Sequence, residues 1–230
     1  MKRGRTMDLG STTEIIAAVA ALGTAATGLV DTTKVLPGGG ISKVGYATIK
    51  QQLKPFHGLL REIPEGAAYE TIYGLWINGA AIEDQKAKAK ALIKLGFAPA
   101  TVDAMAKATG LPTTDLKTLA NNIVGGIALT PPQVNIYGRL DAILSAVIDA
   151  AYEKADQRYR NAAKALAAAI AIALAFIGGY EVAPPDGAAG WLTYAVVGAI
   201  ATPLAPVAKD ITTAINTAVQ SSGQLRALLK

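Results

Sequence analysis

Between Asp186 and Lys209 the chain runs for twenty-two residues without a charge, and between Lys164 and Glu181 for another sixteen. At about 1.5 Å per residue, helices over these runs reach roughly 33 Å and roughly 24 Å, against a bilayer hydrocarbon core of roughly 30 Å. Lys164 can extend its ammonium toward the headgroups, and Tyr180 and Trp191 suit the membrane interface, which makes up part of the shorter run's deficit. The two runs therefore read as a membrane helical hairpin turned by "EVAPPDGAAG". A third apolar run, from Ile15 to Val30, follows the basic start "MKRGR". It reads as a retained first helix rather than a cleaved leader, because Asp8 and Glu14 interrupt the charged-then-apolar order of a signal peptide. Ser11 and Glu14 have capping-box spacing, which predicts a helix start just before Ile15.

Composition agrees with a non-aqueous partner. Hydrophobic residues make up 51% of the 230 and charged ones only 17%, against roughly 25% charged in an ordinary soluble domain. Aromatic content is 6%, so the apolar character comes from Ala, Ile, Leu and Val. That mixture suits closely packed helices and predicts an all-α fold. With no cysteine and a single histidine, His57, thiolate and polyhistidine metal sites are excluded and no metal, cofactor or catalytic residue is nominated. Nothing in the sequence sets a serine beside His57, which reads as a residue packed among apolar groups or in a loop.

The small residues of the apolar runs are spaced as stripes. Ala167, Ala171, Ala175 and Gly179 recur every four positions opposite Leu166, Ile170 and Leu174; Ala17, Ala21 and Ala25 repeat the pattern in the first run, and Ala195 and Ala199 in the third. Such stripes let helix backbones approach closely where lipid removes the hydrophobic driving force, within one chain or between copies.

Five segments follow: an apolar helix over 1–33, spanning the membrane or lying on it; a helical extramembrane domain over 34–132; a long amphipathic connecting helix over 133–163; the hairpin over 164–208; and an amphipathic C-terminal helix over 209–230. Gly38, Gly39 and Gly40 read as a hinge after the first helix. Pro55, Pro64 with Gly66, Gly79, Gly96 with Pro99, and Gly110 with Pro112 punctuate the helices that follow. Tyr69, Ile72, Tyr73 and Trp76 share a face that reads as core, with an aromatic ligand box as the sharper alternative. From Gln133 to Tyr180 there is no proline, and Ile136, Leu140, Ile143, Leu144, Val147 and Ile148 form an amphipathic stripe. Pro203 and Pro206 should kink or end the last apolar run.

Two motifs carry other chemistry. Ala106, Gly110 and Leu116 have the order of a helix-turn-helix, whose second helix would present Thr113, Thr114 and Lys117 to DNA; it offers no Arg or Gln for base edges, and Asp115 repels phosphate. Asp149, Glu153 and Asp156 share a helix face that could gather a cation, but Lys154, Arg158 and Arg160 lie among them, and a salt-bridged collar is the plainer reading. Over Leu92 to Gly110, "LIKLGFAPATVDAMAKATG", with Leu95-Gly96-Phe97 in its loop, resembles a ubiquitin-associated module. The resemblance implies a three-helix subdomain from about Ile82 to Asn122; ubiquitin binding is not carried over with it.

Charge orients the membrane reading. Of the 22 Lys and Arg residues, sixteen lie between Lys34 and Lys164, none in the 181–190 loop and three from Lys209 onward. The positive-inside rule then puts 34–163 in the cytoplasm, with "MKRGR" opposing unless the first run lies along the surface. The sequence thus predicts a non-enzymatic integral membrane protein, a homo-oligomeric scaffold or pore-like assembly whose partners are the bilayer and its own copies. A structural subunit of a large soluble or viral assembly is the alternative, and a DNA-binding protein a weaker one.

Overall fold

The computed structural model describes residues 9–36, 39–182 and 184–206, without the side chains of 9–14 and 65. Among the described residues the chain is all-helical, with nine α-helices and no strand. They are α1 (Leu9–Thr32), α2 (Ser42–Gln52), α3 (His57–Arg61), α4 (Ala67–Ile77), α5 (Ile82–Leu95), α6 (Val102–Thr109), α7 (Thr113–Val124), α8 (Pro131–Val182) and α9 (Gly187–Pro206). Every Pro and Gly punctuation point between 55 and 112 coincides with a break between helices. The chain divides into two compact units, one over Leu36–Arg160 and the other formed by Met1–Val35 with Asn161–Lys230.

The Leu36–Arg160 unit has an ordinary globular interior. Ile49, Leu53, Phe56, Leu59, Leu60, Ile72, Ile93, Met105, Leu116 and Leu119 form one core with Leu140, Leu144, Ile148 and Tyr152 of α8. The stripe expected on residues 133–163 is therefore part of this core, and the amphipathic stretch packs with the domain through Arg160 rather than standing as a separate connector. Burial pushes the Tyr152 phenol well above its usual range, while its hydroxyl donates to the Gln85 carbonyl at 3.4 Å.

Small residues set the closest approaches. A Cβ on Gly45 would run into the Trp76 ring, so the ring can lie where it does against α2 only with glycine there. The Trp76 indole N–H donates to the Ser42 carbonyl at 2.8 Å and ties the end of α4 to the start of α2. Likewise a Cβ on Gly96 would meet the Leu59 carbonyl, and Thr101 holds the turn by donating its hydroxyl to the Gly96 carbonyl at 2.7 Å. The module likeness is corrected here: α6 and α7 pair as expected, but α5 packs chiefly on α3 and α4, because its apolar face is claimed by the wider core.

Expectations at three helix boundaries fare differently. Backbone at Leu9 is already helical, so the predicted start just before Ile15 is too late; the Ser11 and Glu14 side chains lie outside the described residues. At the hinge, Gly39 and Gly40 take positive φ of 81° and 47°, whereas Gly38 lies outside the description. Helix α9 continues through Pro203 as far as Pro206. Proline removes one N–H, and a long apolar helix absorbs that loss when its neighbours hold it. The proposed amphipathic helix over 209–230 lies outside the described residues.

Candidate functional site: helices packed on alanine and glycine

Three helices are long and apolar enough to cross a membrane: the stretch Ile15–Val35, the apolar end of α8, and Gly187–Pro206. They make up the second unit. Its interior is unlike that of the first. Ala26, Ala171 and Ala201 form a fully buried cluster, with Val19, Leu22 and Ile170 packed around it. Large aliphatic side chains face outward instead: Ile177 and Leu192 are each 66% exposed, and Ile15, Leu29, Val196 and Ile200 are exposed too.

Glycine makes the contacts possible. A Cβ at Gly23 would run into the Ala201 carbonyl, and one at Gly198 into the backbone of Ala171 and Ile172. One at Gly179 would lie 2.6 Å from the Tyr194 ring, whose hydroxyl donates to the Gly179 carbonyl at 3.0 Å. Backbones therefore meet almost directly, as they do where dispersion and shape, not expulsion of water, hold helices together.

The expected packing residues divide accordingly. Ala167, Ala171 and Ala175 are buried, and Gly179 is half-buried beneath Tyr194. On α9, Ala195 is half-buried and Ala199 exposed; the buried positions are Gly198, Ala201 and Ala205. On α1, Ala17, Ala21 and Ala25 are exposed, and Ala20, Gly23, Ala26 and Val30 face inward. The stripe was legible only in α8. In α1 and α9 alanine fills more than one face, and a one-letter pattern cannot choose among equally small sides.

Three threonines of these helices are settled locally, whereas the buried Thr202 hydroxyl of α9 has no partner among the described residues. Thr24 donates to the Ala20 carbonyl at 3.0 Å, Thr27 to Gly23 at 2.9 Å and Thr193 to Ala189 at 2.9 Å. Each hydroxyl turns back on its own helix and needs no water. At the hairpin end, Phe176, Tyr180, Trp191 and Tyr194 form an aromatic cluster, with Tyr180 and Trp191 stacked at 6.4 Å between centroids. Gly187, with φ of 65°, opens α9 just after the described turn residues 184–186.

In the Leu36–Arg160 unit the sequence missed a charge ladder between α5 and α8. Lys86 lies 3.2 Å from Asp149 and 3.1 Å from Glu83. Lys90 lies 3.2 Å from Asp141 and donates to the Ser145 hydroxyl at 3.1 Å; Lys94 also pairs with Asp141. The signal was present as lysines at 86, 90 and 94 facing Asp141, Ser145 and Asp149, both at four-residue spacing and running in opposite directions. Hydrogen bonding from Lys94 holds the Asp141 carboxyl below its usual range, against the opposing effect of partial burial. Burial works to lower the Lys94 ammonium, but its bonds to Asp141 and Tyr137 outweigh that and the net direction is upward. The hydrogen bonds to Glu83 and then Asp149 raise Lys86.

Of the acidic trio, Asp149 goes to Lys86 and Asp156 to Arg160 at 2.8 Å. Among the described residues no group of three or more His, Asp or Glu converges to hold a metal ion. Thr113, Thr114 and Lys117 are exposed on α7, after a turn in which Gly110 has φ of 71°. They share a face, but Lys117 is the sole cation of α7. His57 is exposed at the start of α3, not packed among apolar groups; its Nδ1 lies 3.1 Å from the Tyr69 hydroxyl. The supposed aromatic face also divides. Ile72 is core, and the half-buried Tyr69 and Trp76 pack against it, whereas Tyr73, also half-buried, lies outside that cluster beside Tyr46, which the sequence did not single out.

No known family model matches this chain, and no curated protein or solved structure is significantly similar to it.

Proposed function

We propose that this chain is a non-enzymatic integral membrane protein that assembles with copies of itself as a scaffold, with the Leu36–Arg160 unit in the cytoplasm. The observation that carries the reading is the contrast between the two units. Both expose some large aliphatics, Leu95, Val124 and Ile127 in the first among them, but only the first also buries many of them in a core; the other buries chiefly alanine and glycine and leaves Ile15, Leu29, Ile177, Leu192, Val196 and Ile200 exposed. A water-soluble bundle that turned its largest aliphatics outward would forgo burial of about 1.5–3 kcal/mol per side chain. In hydrocarbon the same arrangement costs nothing, and close backbone contact supplies the cohesion.

Three crossings put residues 36–160 and the C-terminal residues on one side, the side with nineteen of the 22 Lys and Arg residues (sixteen between Lys34 and Lys164, three from Lys209). That excess argues for the cytoplasm. The aromatic cluster of Trp191, Tyr180 and Tyr194 then sits at the opposite headgroup layer, where amphipathic rings are favoured. Self-association draws on the outward stripe of Ala17, Ala21 and Ala25, joined by Gly28, beside which a Cβ would meet nothing within the chain.

Membrane fractionation tests the reading. The protein should stay with vesicles through high-salt and alkaline washes and leave only with detergent. Recovery as a lipid-free aqueous particle would overturn it and favour a soluble shell, in which the same aliphatics would be covered by neighbouring subunits. Cross-linking in intact vesicles should give multiples of the chain, and Ala21→Leu should diminish them; a monomer alone would remove the scaffold while leaving the membrane assignment standing.

A further inference from the structure

We propose that the hollow between α2 and α4 lined by Tyr46, Tyr69, Tyr73 and Glu70 binds a quaternary ammonium group. The hollow is shallow and open to solvent, with a volume of about 270 Å³. Tyr46 and Tyr73 meet with centroids 4.8 Å apart and planes at 67°, forming an aromatic corner. Tyr69, one turn before Tyr73 on α4, supplies the third ring, and the exposed Glu70 brings a carboxylate to the rim.

Ring faces carry partial negative charge and attract cations, most strongly those with weakly held hydration. A quaternary ammonium has no N–H to donate, so it gains little from hydrogen-bond acceptors and much from aromatic faces with a carboxylate nearby. A primary ammonium keeps its water better and fits this lining less well. The site is also preorganised. Tyr46 donates its hydroxyl to the Tyr69 carbonyl at 3.2 Å, and the Tyr69 hydroxyl is engaged by His57, so two of the three rings are held before any ligand arrives.

Burial, then Tyr69, Tyr73 and Glu70, push the Tyr46 phenol above its usual range, so its ring stays neutral; of these neighbours only the Glu70 carboxylate favours a cation. The Lys50 ammonium lies 5.7 Å from the Tyr69 centroid, so that ring already attracts one cation. Lys50 lines the adjoining hollow with Lys54 and His57, and does not line this one.

The shared chemistry, a trimethylammonium group, can come from a choline lipid headgroup or from a free small solute. The test titrates the full chain, in micelles of a sugar-headgroup detergent, with tetramethylammonium chloride, using ammonium chloride at equal ionic strength as control. Saturable heat with tetramethylammonium and none with ammonium is expected. Glu70→Gln, a change at an exposed carboxylate, should weaken binding roughly two- to fivefold, and Tyr73→Leu should remove it while Tyr73→Phe, which keeps the ring face, retains it. Helicity measured in parallel confirms that each variant is folded. No saturable heat with the folded wild type, or binding that Glu70→Gln and Tyr73→Leu leave unchanged, would overturn the proposal. Once binding is seen, reconstitution separates the sources. Loss of probe binding in phosphatidylcholine but not phosphatidylglycerol vesicles identifies the lipid headgroup, and retention in both identifies a free solute.

Discussion

A single Cβ decides whether α1 can lie against α9. At Gly23 it would overlap the Ala201 carbonyl, and at Gly198 it would overlap the backbone of α8. Neither obstacle is the movable tip of a side chain, so the helices themselves must separate. Gly23→Val and Gly198→Val should each destabilise the packed helices by about 1–3 kcal/mol, read as a lower midpoint when the detergent-solubilised chain is denatured and followed by helicity. Gly178 is the internal control: it is also helical, but nothing stands within 4 Å of where a Cβ would go. Gly178→Ala should therefore be neutral or stabilising by up to about 1 kcal/mol. Equal loss at Gly23 and Gly178 would mean that backbone propensity, not contact, sets the response.

Pairs of helices bring together charges that neither helix explains alone. Asp141 of α8 accepts from Lys90 and Lys94 of α5, and Asp149 pairs with Lys86. The Asp141 pKa is lowered on folding, so its contribution is present above the ordinary carboxylate value and is lost as pH falls through the folded value. The Lys86 and Lys94 pKa values are raised, so theirs is present below the ordinary lysine value and is lost as pH rises through the folded one. The ladder is therefore intact between about pH 4 and about pH 10. Asp141→Asn should lower the stability of the Leu36–Arg160 unit by about 0.5–1 kcal/mol at neutral pH, because the partners are partly exposed and screened, and should flatten the acid limb of its pH–stability profile. An unchanged acid limb would show that the ladder adds nothing. Leu144→Ala, fully buried on the same helix, should cost more, about 2–5 kcal/mol, by thermal unfolding.

Across the whole molecule the absence of cysteine makes sidedness directly measurable. Single cysteines placed at Lys88, which is exposed on α5, and at Ala188, which is exposed at the start of α9, should react from opposite faces of sealed vesicles with a reagent that cannot cross lipid. If both react from one face, the two positions share a side and the three-crossing arrangement fails. The fold class and the three apolar helices were legible in the chain because both depend on local order: a run without charge, a period of 3.6, a glycine or proline at each break. The charge ladder was half legible, since each set of partners has its own four-residue spacing, but their pairing joins residues about fifty positions apart.

What the amino-acid order determined by itself was the kind of element and the solvent each can tolerate, for these follow from neighbours a few residues away. Ala167, Ala171 and Ala175 were readable as a packing face because large residues stand opposite them. Tertiary structure alone decided that α1 turns Gly23 and Ala26 inward and leaves Ala17, Ala21 and Ala25 outside. It also decided that Tyr46 meets Tyr73. In a helix small on several sides, every rotation about its axis offers a similar local pattern, and only the carbonyl of a distant helix, close enough to forbid a methyl group, selects one.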